Sequence, residues 1–148
     1  MADFSHLSSL RVQEDAQAEF TFFGISGEPT LKVRPANDSN REFFNAVLRQ
    51  SKEATRRARA RKGQEVSKEL IEKARQEDIK LFTQYIVTDW SNVMDSKGVP
   101  VPFSKEVCGE FLQAIPPDMF NELRGFCLDI ENFRESVDPQ ILEDLKGN

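Results

Sequence analysis

Between Ser67 and Met94 the sequence reads SKELIEKARQEDIKLFTQYIVTDWSNVM, and its apolar residues Leu70, Ile71, Ala74, Ile79, Phe82, Ile86, Trp90 and Val93 recur at spacings of three and four. That period marks one face of an α-helix. It predicts a single long helix over the stretch, with Ser67 as its N-cap. Leu81 and Tyr85 widen the stripe, so the helix must meet the rest of the chain on more than one side. The remaining segments have to supply that cover.

Upstream, EFTFFGISGEPTLKVRPA carries strand-forming residues on both sides of Gly24 to Pro29. Phe20, Phe22 and Val33 suit a pleated surface, and Gly27 with Pro29 provides turn chemistry. A β-hairpin over about 19–25 and 30–34, closed by Pro35, is predicted. Two strands alone are marginal, so the hairpin must lie on the helices. Next, Asn37, Asp38 and Ser39 precede a helix, and Glu42 stands three residues after Ser39 in capping-box spacing. Phe43, Phe44, Val47 and Leu48 form its apolar stripe, after which arginines take over and the helix should leave the core before Gly63.

After Trp90 the chain changes character. Asp95-Ser96-Lys97-Gly98 is turn chemistry, and Pro100 and Pro102 hold the residues before them extended. Val99 and Val101 should therefore point the same way. Ser104 is placed to cap a new helix, with Val107 packed beneath Phe103. SKEVCGEFLQAI and PDMFNELRGFCLDIENF then read as two helices separated by Pro116-Pro117. The fold class is mainly α: one domain of four to five helices with an N-terminal β-hairpin packed on it. Residues 1–18 read as a loose arm, 19–135 as the domain with its hairpin at about 19–35, and 136–148 as a short tail or helix. Phe82, Ile86, Trp90, Phe111, Phe120 and Phe126 are the expected structural core, each worth roughly 1.5–3 kcal/mol on burial.

Composition narrows the function classes. The net charge of −5 gives no overall attraction for nucleic acid or acidic membranes. No apolar run approaches the ~18 residues of a membrane span, and the N-terminus lacks the layout of a secretory signal. Cys108 and Cys127 have no metal-type spacing and read as reduced core thiols of a cytosolic protein. The single histidine, His6, lies in the arm, which disfavours histidine-assisted nucleophilic catalysis. No glycine-rich phosphate loop or calcium-type loop is present. Glu69, Glu72, Glu77 and Asp78 interleave with Lys68, Lys73, Arg75 and Lys80, the pattern of a solvated helix face. Neither catalytic residues, metal ligands nor a cofactor are expected, and the chain reads as a non-enzyme.

Two features fit binding to other chains. In RQSKEATRRARARK, residues 49–62, seven basic residues stand against Glu53 alone, giving the stretch +6 and leaving the rest of the chain at −11. Arg56, Arg57, Arg59 and Arg61 are its centre. They suit an acidic protein surface, including the acidic half of a second copy, or phosphates. No aromatic is interleaved to stack on bases, so nucleic acid is the weaker reading. The second feature is the proline-stiffened connector, which loses little entropy on binding and could present Val99, Val101 or Phe103.

The segments GEPTLKVRPAN, REFFNAVLR and FTQYIVTDWSNVMDSKGVPVPFSKEVCGEFLQAIPPDMFNELRGF resemble the small tail assembly chaperones of long-tailed bacteriophages. The Trp90, Val93, Asp95, Gly98, Val101-Pro102-Phe103-Ser104 element and the paired helices after it carry most of the likeness, which spans about residues 27–133. The resemblance implies a mainly helical, self-associating helper in the host cytoplasm. It would bind the tape measure protein, keep its apolar helices soluble and help recruit tail tube subunits. In many relatives a ribosomal frameshift also yields a longer form, and this chain would correspond to the short one. The basic run is stronger than that family's pattern. A structural virion protein at the head-tail junction or tail, or a nucleic-acid-binding module on helix 49–62, are the alternatives.

Overall fold

The computed structural model describes residues 4, 7, 10–60 and 68–134, and for residues 54 and 57–60 the backbone alone. The elements run β1 (Ala18–Thr21), β2 (Thr30–Val33), α1 (Arg41–Ala60), α2 (Lys68–Leu81), a π-helical turn (Phe82–Ile86), β3 (Val87–Ser91), α3 (Lys105–Ala114), α4 (Pro117–Leu128) and a 3-10 turn (Ile130–Phe133). Four α-helices thus surround a small antiparallel sheet of order β1-β2-β3. The mainly α domain with its hairpin packed on the helices is the fold that the sequence predicts. Ser67, Arg61, His6 and the expected tail 136–148 lie outside the described residues.

The long helix expected over 67–94 is the principal correction. It ends at Leu81, and Val87–Ser91 joins the hairpin as a third strand. Ile86, Val87 and Thr88 are three β-branched residues in succession, which disfavour a helix and favour a pleated strand. The apolar spacing is reconciled with a strand by a bulge. Val33 pairs with Val87 and Lys32 with Asp89, so Thr88 is the extra residue. The bulge brings Val87 and Trp90 to one face although they are three residues apart, the very spacing that mimics a helix. Thr88 Oγ1 donates to the Lys32 carbonyl at 3.2 Å and pins the bulge.

A helix that stops inside a protein must find partners for its last carbonyls. Here Lys105 Nζ donates to Gln84 O (3.1 Å), Asn40 Nδ2 to Tyr85 O (3.0 Å) and the Arg34 amide to Ile86 O (2.9 Å). Three distant elements therefore close on one turn. Asn40 also corrects the predicted cap of α1. Its Oδ1 accepts from the Phe43 amide at 3.3 Å, while Ser39 is taken into a turn by the side chain of Asn37.

The core lies between the inner face of the sheet and the helices. Leu31, Val33, Ile86, Val87, Leu112, Phe120 and Leu123 are buried there. Of the expected core residues, Phe82, Ile86 and Phe120 are buried, and Trp90, Phe111 and Phe126 pack half-buried at its margin. Edge-to-face rings bind the elements together: Phe22, just after β1, meets Phe111 of α3 at 5.8 Å, and Phe82 of the π-helical turn meets Phe120 of α4 at 5.3 Å. Phe20 meets Phe126 at 5.2 Å in a tilted arrangement. The outer sheet face is polar, with Glu19, Lys32 and Asp89 in one cross-strand row. Residues 10–17 lie along the body, held by Arg34 Nη2 donating to Glu14 O and Arg134 Nε donating to Leu10 O.

Cys108 on α3 and Cys127 on α4 are free, buried thiols, as expected. Burial pushes both up to about 12 from an ordinary value of 9.0, against the smaller opposing effect of a Thr83 hydrogen bond on Cys108. The folded chain therefore holds these protons where the unfolded chain has lost them. The stability linked to them is complete below about pH 9 and disappears as pH rises toward about 12. Urea melts at about pH 8 and about pH 10.5 should show the loss, and replacing both cysteines by alanine should shrink the difference.

Candidate partner-binding surface

The connector between β3 and α3 is a built structure. Asn92 turns the chain with φ 60°, and the Val101 amide then donates back to Val93 O at 2.8 Å. Met94 bridges Pro100, and the Asp95 amide donates to Val99 O at 2.9 Å. Asp95 is the anchor of the tip, its Oδ1 accepting from the Lys97 amide (2.8 Å) and the Val99 amide (3.0 Å). Residues 93–101 thus form a small second hairpin, where an extended connector is predicted. Gly98 closes it with φ +77°, a left-handed conformation that costs a side chain about 1–2 kcal/mol. A Cβ there meets nothing within 4 Å. Gly98→Ala should therefore lower stability by about 1 kcal/mol through backbone strain alone, measurable by chemical unfolding.

This tip is tied to the core from one side. Trp90 Nε1 donates to Val101 O at 2.8 Å, and the Phe103 ring stands edge-on to the indole at 5.3 Å. Ser104 then caps α3, its Oγ accepting from the Val107 amide at 3.2 Å, as predicted. Phe103 and Val101 are half-buried, whereas Val99 is 53% exposed and Met94 48% exposed. Val99 and Met94 are thus the apolar groups that the tip offers to another molecule. Met94 was not readable as such, because its exposure depends on a hairpin that its own residue type does not signal.

The second surface is α1. Its first turns enter the core through Phe43 and Ala46, with Val47 half-buried. Phe44 and Leu48, predicted to share that stripe, face outward at 40% and 47% exposure. The reason is geometric: Phe43 with Val47 and Phe44 with Leu48 are two adjacent ridges, and the core takes only one. From Leu48 onward the described side chains of α1 are exposed apart from the half-buried Gln50, so the helix leaves the core as expected. Arg56 is exposed beside Lys52, and Arg57 and Arg59 continue the helix, described by backbone alone. The first half of α2 is similar, with Ile71 53% exposed and Glu69, Glu72 and Lys73 around it. The tip and the basic stretch sit on separate elements.

Among the described residues, no three His, Cys, Asp or Glu side chains are grouped to hold a metal ion. No helix there is long and apolar enough to cross a membrane. The described surface is that of an α-helical domain that exposes apolar side chains in pairs at the hairpin tip and on α1, and singly at Phe23, Ile71 and Leu128. The family model for the YdaY prophage protein matches residues 37–144, which runs from the N-terminal turn of α1 through all the helices. The chain belongs to the YdaY prophage protein family and is phage-derived. No curated protein matches it, and no solved structure does either.

Proposed function

We propose that this prophage protein is a non-enzymatic tail assembly chaperone, acting in the host cytoplasm, that binds the tape measure protein and helps bring tail tube subunits onto it. The observation that carries the reading is the pair of projections described above. Phe44 and Leu48 on α1 and Met94 and Val99 at the tip are apolar groups left outside the core, with exposed Lys52, Arg56, Asp95 and Lys97 on the same elements. Such surfaces suit the temporary cover of an amphipathic helix, where apolar contacts hold and flanking charges keep the complex soluble. The Trp90-to-Ser104 element, which resembles that of tail chaperones, forms the hairpin tip and its anchor, so the resemblance falls on one of the two surfaces. Co-expression tests the proposal. The tape measure protein of the same prophage should become more soluble and should co-purify with this chain, and its remaining insoluble and unbound would end the reading. The exposed Lys52 and Arg56 also favour a second test, for phosphate contact. Titration with RNA or DNA at about 50 mM salt should give no saturable binding, whereas a salt-steep isotherm would replace the chaperone by a nucleic-acid module.

A further inference from the structure

One side of the β1 backbone is unused. The Phe22 amide donates to Pro29 O at 2.9 Å, and the same register sets Phe20 opposite Leu31 and Ala18 opposite Val33. Hydrogen-bonded pairs alternate along an antiparallel ladder, so Ala18, Phe20 and Phe22 spend their polar backbone groups on β2. Glu19 and Thr21 turn their N–H and C=O groups to the opposite side. Among the described residues no strand flanks β1 there, and these groups meet no partner. The far edge of the sheet is different. Leu31 is bonded to Phe20, so Trp90, which stands opposite Leu31 on β3, turns its amide outward, and Asp89 Oδ1 takes that amide at 2.8 Å. The bulge at Thr88 breaks the row further along. Carboxylates and bulges are the devices that close a sheet edge against pairing. The β3 edge has both, and the β1 edge has neither.

We propose that β1 is a docking edge for an extended segment of a partner protein, which adds to the sheet as a fourth, antiparallel strand with a lysine or arginine facing Glu19. Main-chain bonds to Glu19 and Thr21 hold such a strand, and its alternate side chains give the specificity. On the outer face, Glu19, Lys32 and Asp89 form a cross-strand row of alternating sign, and a cation beyond Glu19 continues it. The neighbouring row is Thr21, Thr30 and Ser91, with the two threonine hydroxyls bonded at 2.9 Å, so it continues with a threonine or serine. On the inner face, Ala18 and Phe20 are half-buried at the margin of the core, and Phe20 meets Phe126 at 5.2 Å. Apolar side chains of the added strand would cover them. A second copy of β1 is a poorer occupant, because AEFT holds no cation to set against Glu19. The edge lies apart from the tip and from α1. A tape measure protein that stays insoluble therefore leaves this inference standing, and an edge that takes no strand leaves the chaperone reading standing.

Site-resolved amide exchange of the full chain, followed by NMR, tests the proposal with the capped peptide valine-threonine-valine-lysine-valine as probe. In the free chain the Phe20 and Phe22 amides should exchange slowly and those of Glu19 and Thr21 fast. About 1 mM peptide should slow Glu19 and Thr21 about tenfold, as for a dissociation constant of about 0.1 mM. Methylating the peptide's lysine amide removes a donor aimed at Glu19 O and should weaken binding about tenfold or more. Methylating the central valine amide, which points away from β1, should leave binding unchanged. Replacing the peptide's lysine by glutamate should weaken binding about fivefold, and Glu19→Lys should reverse that preference. Glu19 is exposed, and a circular dichroism melt like that of the parent establishes that the variant folds. Glu19 and Thr21 amides indifferent to the peptide overturn the proposal, and so do amides already slow in the free chain. Equal losses from the two methylations, or a charge preference that Glu19→Lys leaves in place, overturn it as well.

Discussion

Trp90→Ala is expected to remove about 3–4 kcal/mol of stability, the largest loss of any single change considered. The indole is half-buried, so area alone does not set the figure. It stands edge-on to Phe103 at 5.3 Å and Phe111 at 5.7 Å, and its Nε1 is the donor to Val101 O at 2.8 Å. It therefore joins β3, the hairpin tip and the start of α3 through one side chain. Truncation leaves the Val101 carbonyl without that donor, strips two rings of their neighbour and opens a cavity where β3, the tip and α3 meet. Trp90→Phe separates the contributions: it keeps a ring against Phe103 and loses only the donor, for about 1–1.5 kcal/mol. Because Trp90 is the sole tryptophan, unfolding should be followed by far-ultraviolet circular dichroism. An unchanged midpoint for the alanine variant would mean that the indole merely lies on the surface.

The position of Trp90 also shows where sequence reasoning succeeds and where it fails. The pair α3 and α4 was legible because each of its signals is local: Ser104 at the cap, apolar residues at three and four, and Pro116-Pro117 between. The hairpin was legible for the same reason, since Gly27 takes φ +86° in a turn whose residue types announce it. The third strand was not. Its apolar spacing is that of a helix until one knows that Thr88 is bulged, and the bulge arises from pairing with β2, more than fifty residues earlier. Long-range pairing overrides a local period because a short strand is stabilised by its neighbours.

The candidate surface follows the same division. The exit of α1 from the core could be read from the point where apolar residues give way to arginines. Which of its two apolar ridges faces inward could not, because Phe43 with Val47 and Phe44 with Leu48 are equivalent in sequence. Likewise the connector was readable as extended between two turns, but its folding back on Val93 required the Asp95 carboxylate to gather two amides. Both projections thus owe their exposed residues to choices made by packing elsewhere, so a substitution in the core can change what the surface offers. The buried contact that ties α1 to the rest is the clearest place to see this.

Asn40→Asp is expected to cost about 2–4 kcal/mol, although aspartate is as good an N-cap as asparagine and suits the positive end of a helix. Asn40 is fully buried and works in two directions: Oδ1 accepts from the Phe43 amide at the start of α1, and Nδ2 donates to Tyr85 O in the π-helical turn. A carboxylate preserves the first bond. It turns the second into a contact between two acceptors, with a charge buried beside a carbonyl dipole. The introduced carboxyl should consequently titrate above its value in the unfolded chain. The sign follows: below the unfolded value, near pH 4, the acid is protonated in both states and can donate to Tyr85 O, so the defect is small. As pH rises through the elevated folded value, the defect grows to its full size by about pH 7. Asn40→Ser keeps an acceptor for the cap but cannot reach Tyr85 O, and should cost about 1–2 kcal/mol with no such pH dependence. Denaturant melts of the three proteins at about pH 4.5 and about pH 7.5 measure all of this. A neutral or stabilising aspartate at pH 7.5 would show that Asn40 is a cap alone, and that α1 is oriented against the π-helical turn by Phe43 and Ala46 without it.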